Sequence, residues 1–192
     1  MSGPDYDALH ARGKSLEDAY FAKRDRELAE QLKKRLNADE LKHLLHYSIG
    51  LKDELADKGF AHLHTGVEVV AAMALLPMVE VAWCDGSVSP EEKAAVLRGA
   101  ADMGMGPESP LHAFLQNWLD HRPAPAAQQA WRDYVKAFVG IVEPAHAAKA
   151  KENILGRAEK VARAAGGFLG MGNKISAAEQ ACLDSLSQAF RA

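Results

Sequence analysis

The sequence has few features of a secreted or disulfide-stabilised protein. It contains only two cysteines, Cys84 and Cys182, and neither belongs to a CxxC motif or to a metal-type spacing. Both stand in apolar surroundings, so free, buried thiols are the expectation. The first residues, MSGPDYDALHARGK, lack the apolar segment that signal peptides carry. These absences predict a cytoplasmic protein.

The sequence also lacks an uninterrupted apolar segment of the kind that spans a membrane. Its most apolar stretch, Val67 to Cys84, contains Glu68 and Glu80 and is interrupted by Pro77. A charge near the bilayer centre costs on the order of several kcal/mol. We therefore expect a buried central helix in place of a transmembrane segment.

Aromatic residues make up only 7% of the chain while alanine is abundant, which favours helices packed closely through small side chains. No run of alternating polar and apolar residues is long enough to predict a strand. Apolar residues instead recur at helical spacing, and serine, proline and glycine residues mark where these helical segments begin and end. The sequence predicts an all-α, multi-helix bundle, with helices over roughly 15–36, 38–50, 51–58, 62–84, 89–103, 109–121, 128–142, 144–165 and 176–190.

Charge is spread unevenly along the chain, although the net charge is only −3. Residues 61–120 hold two basic and eight acidic side chains, whereas residues 121–192 hold ten basic and six acidic ones. An acidic middle argues against a nucleic-acid-binding protein. The basic residues of the helix over Pro144–Ala165 leave a peripheral membrane contact as one hypothesis.

Two segments of the chain share a loop-to-helix pattern. In residues 85–96 (DGSVSPEEKAAV) and 172–183 (GNKISAAEQACL), an aliphatic residue and a serine are followed three residues later by glutamate. A serine and a glutamate at this spacing form a capping box, in which each side chain bonds the other residue's backbone amide. The pattern predicts helices capped by Ser89 and Ser176 and a weak internal duplication.

The stretch ALLPMVEVAWCDGSVSPEEKAAVLRGAADMGM resembles the TerB-like (tellurite-resistance protein B-like) family, in which an apolar helix ends in an Ala-x-x-Asp-Gly turn before an aliphatic residue, Ser and Glu. The resemblance covers roughly residues 65–190 and is most specific over 70–106. It implies an internally duplicated helical domain over 61–192 and leaves 1–60 as an added helical arm. It also implies a role in stress response or defence, no enzymatic activity, and acidic residues near the turns that act as metal ligands.

The first loop is accordingly the predicted cation site. Asp85 and Glu92 are the expected principal ligands, with Glu80 as a third, and oxygen ligands favour calcium or magnesium over zinc. At the second loop, Gly172, Asn173 and Lys174 replace the acidic turn, so no second site is expected. An alternative interpretation of Glu80 is that it is a hydrogen-bonded polar group that faces another helix and not a cation ligand.

The leading functional hypothesis is a non-catalytic binding module that acts through a protein partner, as a monomer or homodimer. The alternative is a metal-dependent enzyme. Glu40, His43 and His46 follow one another at three-residue steps, and Glu-x-x-His is a di-iron ligand pattern. A bundle site needs two such motifs, and the sequence shows one.

Overall fold

The computed structural model describes residues 67–165 and 175–191, together with Leu9, Ala11, Arg12, Gly13 and Ser15 near the amino terminus. These parts are helical and contain no strand, which confirms the all-α prediction. Between Val67 and Gln188, the described residues form six helices: α1 (Val67–Ala82), α2 (Pro90–Ala101), α3 (Pro110–Asp120), α4 (Pro125–Ile141), α5 (Pro144–Ala165) and α6 (Ala177–Gln188).

Helix α1 is the centre of the bundle. Every residue from Ala74 to Ala82 is buried, and the helix contacts α2, α3, α4, α5 and α6. This arrangement confirms the expectation of a central helix that is buried on all sides, because a helix without a polar face requires neighbours all round. Within the described residues, no helix is long and apolar enough to cross a membrane.

Helix α5 is the second large packing element and lies against α1, α2, α4 and α6. Its buried stripe recurs every three or four residues and consists mainly of small side chains: Ala150, Ile154, Ala158, Val161 and Ala162. Small residues on one face allow a close approach to α1. The alanine-rich composition thus serves the packing of these two helices.

The described residues near the amino terminus lie on the body of the bundle. Leu9 is buried within the same core cluster, and the Arg12 guanidinium donates to the backbone oxygen of Asp133 in α4 (3.3 Å). This part of the predicted arm therefore packs on the bundle that the described helices form. The predicted helices over 15–36, 38–50 and 51–58, beyond Ser15, and the predicted boundary at residue 60 lie outside the described residues.

Candidate functional site: two loop-to-helix turns

The first turn begins where α1 ends at Ala82. Gly86 has a φ of 97°, and its amide donates to the backbone oxygen of Trp83 (3.0 Å). This left-handed conformation is readily adopted only by glycine. The exposed Asp85 carboxylate accepts a hydrogen bond from the Ser87 amide (3.0 Å), which closes a local turn.

Both predicted capping boxes are present. The Ser89 amide donates to Glu92 Oε2 (2.7 Å) and the Glu92 amide to Ser89 Oγ (3.2 Å). The Ser176 amide donates to Glu179 Oε2 (2.5 Å) and the Glu179 amide to Ser176 Oγ (3.2 Å). Each glutamate is only 3% exposed. The two segments therefore share one local geometry, although this likeness does not by itself establish a duplicated fold.

The two turns lie close enough to interact electrostatically. Burial raises the pKa of Glu92, the hydrogen bonds with Ser89 oppose that shift, and the charges of Asp85 and Glu179 raise the pKa further. Glu179 belongs to the second copy of the pattern, 87 positions further along the chain (179 minus 92). The fold thus gathers three carboxyl groups, Asp85, Glu92 and Glu179, around one region.

Glu80 has different surroundings. It is 6% exposed, and its Oε1 atom is buried without a hydrogen-bond partner, contrary to the expectation of a satisfied polar group. Burial raises its pKa from 4.5 to about 7, and the positive charges of Arg132 and Arg122 oppose this shift. Arg132 is itself held by a hydrogen bond to Ser185 Oγ of α6 (3.0 Å). A buried carboxyl group that retains its proton up to about pH 7 and feels two arginine charges is a poor cation ligand.

Of the predicted ligands, Asp85 and Glu92 lie within electrostatic range of each other, whereas Glu80 lies within range of Arg132 and Arg122. Among the described residues, no group of three or more His, Cys, Asp or Glu side chains is arranged to hold a metal ion. Glu40, His43 and His46 lie outside the described residues. Sequence reasoning did not include Glu179 in the first site, although the duplicated pattern marked it as the counterpart of Glu92.

Helix α5 presents fewer uncompensated positive charges than its sequence indicates. Lys149 pairs with Glu152 (2.8 Å), and Arg163 pairs with Glu159. Arg157 is half-buried, and burial lowers its pKa while the charge of Asp102 raises it. Anionic lipid attracts a surface through unpaired basic residues. The geometry of α5 therefore gives little support to the membrane hypothesis.

Replacing either capping serine by alanine should destabilise the protein. We expect Ser89→Ala and Ser176→Ala each to cost about 1 kcal/mol, because each removes the acceptor of a first-turn amide. Urea unfolding of the two variants and of the double variant measures these costs. Additive losses indicate independent caps, and a coupling above about 0.5 kcal/mol indicates that the turns pack on each other. A neutral Ser89→Ala would contradict the observed cap.

No family model, curated protein or solved structure matches the chain. The functional assignment therefore rests on the geometry of the turns and on the sequence resemblance.

Proposed function

We propose that this chain is a non-catalytic helical binding module of TerB-like type, which acts through a protein partner in a bacterial stress-response or defence setting. The observation that carries the proposal is the pair of matched capping boxes, with Glu92 close enough to Glu179 for the second charge to affect the first. The family resemblance implies an internally duplicated helical fold, and two turns with the same capping geometry are consistent with it.

The chemistry around the turns also favours binding over catalysis. The oxygen atoms of Ser89, Ser176, Glu92 and Glu179 take part in cap hydrogen bonds. A general base or nucleophile needs a proton-accepting atom that can reach substrate. The exposed part of the first turn, around Asp85 and Ser87, is instead a polar surface suited to contact with a partner or a cation.

Affinity capture from the native host, followed by reconstitution, tests the proposal. The full chain should retain a protein that binds saturably and with fixed stoichiometry when both components are purified. A captured protein that does not rebind in purified form would contradict a binding role. The alternative enzyme predicts iron or zinc that remains bound through purification and is lost in His43→Ala, which metal analysis by mass spectrometry measures.

We further propose a weak calcium or magnesium site at the first turn, with Asp85 and Glu92 as ligands. A cation there would reduce the repulsion among Asp85, Glu92 and Glu179. An exposed carboxylate and a buried one that already caps a helix should bind calcium only weakly, with a Kd of about 10⁻⁴–10⁻³ M. Calorimetric titration of the parent should show this binding, and Asp85→Asn should weaken it at least about tenfold, the change that 1.4 kcal/mol produces.

Glu91→Gln is the matched control for the calcium titration, because Glu91 is an exposed carboxylate next to Glu92. This variant should bind calcium as the parent does. Equal losses in Glu91→Gln and Asp85→Asn would indicate diffuse attraction to the acidic surface, and a parent without any signal would eliminate the cation site. Neither result bears on the protein partner.

A further inference from the structure

A short amino-terminal segment contributes to the core of the bundle. Leu9 is only 1% exposed, and every other member of the described core cluster lies between positions 74 and 190. Gly13 is also buried, whereas Ala11 and Arg12 between them are exposed. Leu9 and Gly13 are both helical, and residues four positions apart lie on the same face of a helix. The segment therefore presents one face to the bundle and the other to solvent.

Arg12 attaches the same segment to helix α4. Its guanidinium Nη1 donates to the backbone oxygen of Asp133 at 3.3 Å. The carboxylate of Asp133 accepts a hydrogen bond from Gln129 Nε2 at 3.0 Å. Asp133 thus gives a positively charged side chain a carbonyl oxygen to bind and a negative charge on the same residue. The core surface that covers Leu9, together with Asp133, forms a binding surface that we call the Leu9 seat.

The contacts that hold this segment in place are few. Among the described residues they consist of a buried leucine, a buried glycine and one exposed hydrogen bond. Holding a segment in one backbone conformation has an entropic cost that these contacts must offset. Segments with few buried contacts and exposed hydrogen bonds open locally while the rest of the protein stays folded. The Leu9 seat is therefore expected to be vacant in a minor fraction of the molecules.

We propose that residues 9–13 are an autoinhibitory strap. In its absence the Leu9 seat binds a helical segment of a partner protein with the same pattern, an aliphatic residue followed three positions later by arginine. The inference rests on the proposed binding role and adds the place and the chemistry of the contact. Strap and partner compete, because both need the space that the Leu9 side chain fills and the backbone oxygen of Asp133. Release of the strap raises the affinity for the partner by the inverse of the open fraction.

A fluorescent synthetic peptide with the sequence of residues 1–15 serves as the probe. Its binding to the full-length parent and to full-length Leu9→Asp is measured by fluorescence anisotropy. Because Leu9→Asp releases the strap, the peptide should bind this variant about 10–1,000 times more tightly than the parent, the range for an open state populated at about 0.1–10%. Ala11→Asp is the matched control, since it adds the same charge at an exposed position and should leave peptide binding as in the parent.

A second variant keeps the test decisive if Leu9→Asp does not fold, which circular dichroism shows. Arg12→Gln removes the exposed hydrogen bond to Asp133 and leaves the core unchanged. It should tighten peptide binding by about two- to tenfold, the change that the loss of one hydrogen bond produces. A peptide that itself carries Leu9→Asp should not bind either variant, because it has no aliphatic side chain for the seat.

Three results would overturn the proposal. They are the absence of peptide binding to both variants, equal binding of the peptide to the parent and both variants, and equal binding of the unchanged peptide and the Leu9→Asp peptide. A parent dimer that is lost in Leu9→Asp would also overturn it, because two copies of the chain would then exchange the segment. Failure of affinity capture contradicts the proposed binding role, whereas failure of the peptide contradicts the strap.

Discussion

Replacing Glu80 by glutamine is expected to stabilise the folded protein by about 3 kcal/mol at pH 8 and by only about 1 kcal/mol at pH 5. The folded-state pKa of Glu80 is about 7, against 4.5 in the unfolded chain. The unfolded chain therefore releases this proton first as the pH rises. The part of the stability that depends on Glu80 is fully present below about pH 4.5 and is lost as the pH rises through about 7.

Urea unfolding of the parent and Glu80→Gln at pH 5 and pH 8 measures this difference. Glu91→Gln is the control, because it removes an exposed carboxyl group and should change stability by less than about 0.5 kcal/mol at either pH. A Glu80→Gln variant that is less stable than the parent at pH 8 would show that Glu80 is ionised and paired, most directly with Arg132.

Truncation of Trp131 should produce a large loss of stability, because its side chain is the largest of those fully buried among the described residues. Trp131 lies in α4 with no exposed surface, and its ring meets Phe190 edge to face at 6.1 Å between centroids. Trp131→Ala removes the whole indole from a packed core and is expected to cost about 3–5 kcal/mol. That loss is a large fraction of the free energy of unfolding of a typical domain, which is roughly 5–15 kcal/mol.

Circular dichroism during urea unfolding measures the effect of Trp131→Ala, and Trp131→Phe is the matched variant. Phenylalanine retains an aromatic ring for Phe190 and leaves a smaller cavity, so its cost should be clearly lower than that of alanine. If Trp131→Ala cost less than about 1 kcal/mol, the packing of Trp131 against Phe190 and the core would not be an important source of stability.

Helix ends were predicted well where the residues that mark them lie within a few positions of the end. The helix over Pro144–Ala165 was predicted with the bounds of α5, and Ser89 and Ser176 were identified as caps from the glutamate three residues later. Helix α4 begins at Pro125, three residues before the predicted start at 128. A proline at the first helical position loses no intrahelical hydrogen bond, so the helix can begin at Pro125, upstream of the predicted start.

The surroundings of buried polar groups could not be predicted in the same way. The sequence placed Glu80 in an apolar helix, but its pKa depends first on how deeply the bundle buries it. The charges of Arg132 and Arg122, more than forty residues away, oppose that effect. The interaction of Glu92 with Glu179 likewise depends on how α6 packs against the rest of the bundle.

The helical class, the buried central helix and the two capped turns can be predicted from local sequence, because caps and helical periodicity involve residues within about four positions of one another. Which polar groups share an environment depends instead on the folded arrangement of the helices. Helix packing sets those neighbours, and the packing is chosen by the shape of whole apolar faces such as those of α1 and α5. No pair of residues near each other in sequence encodes that shape.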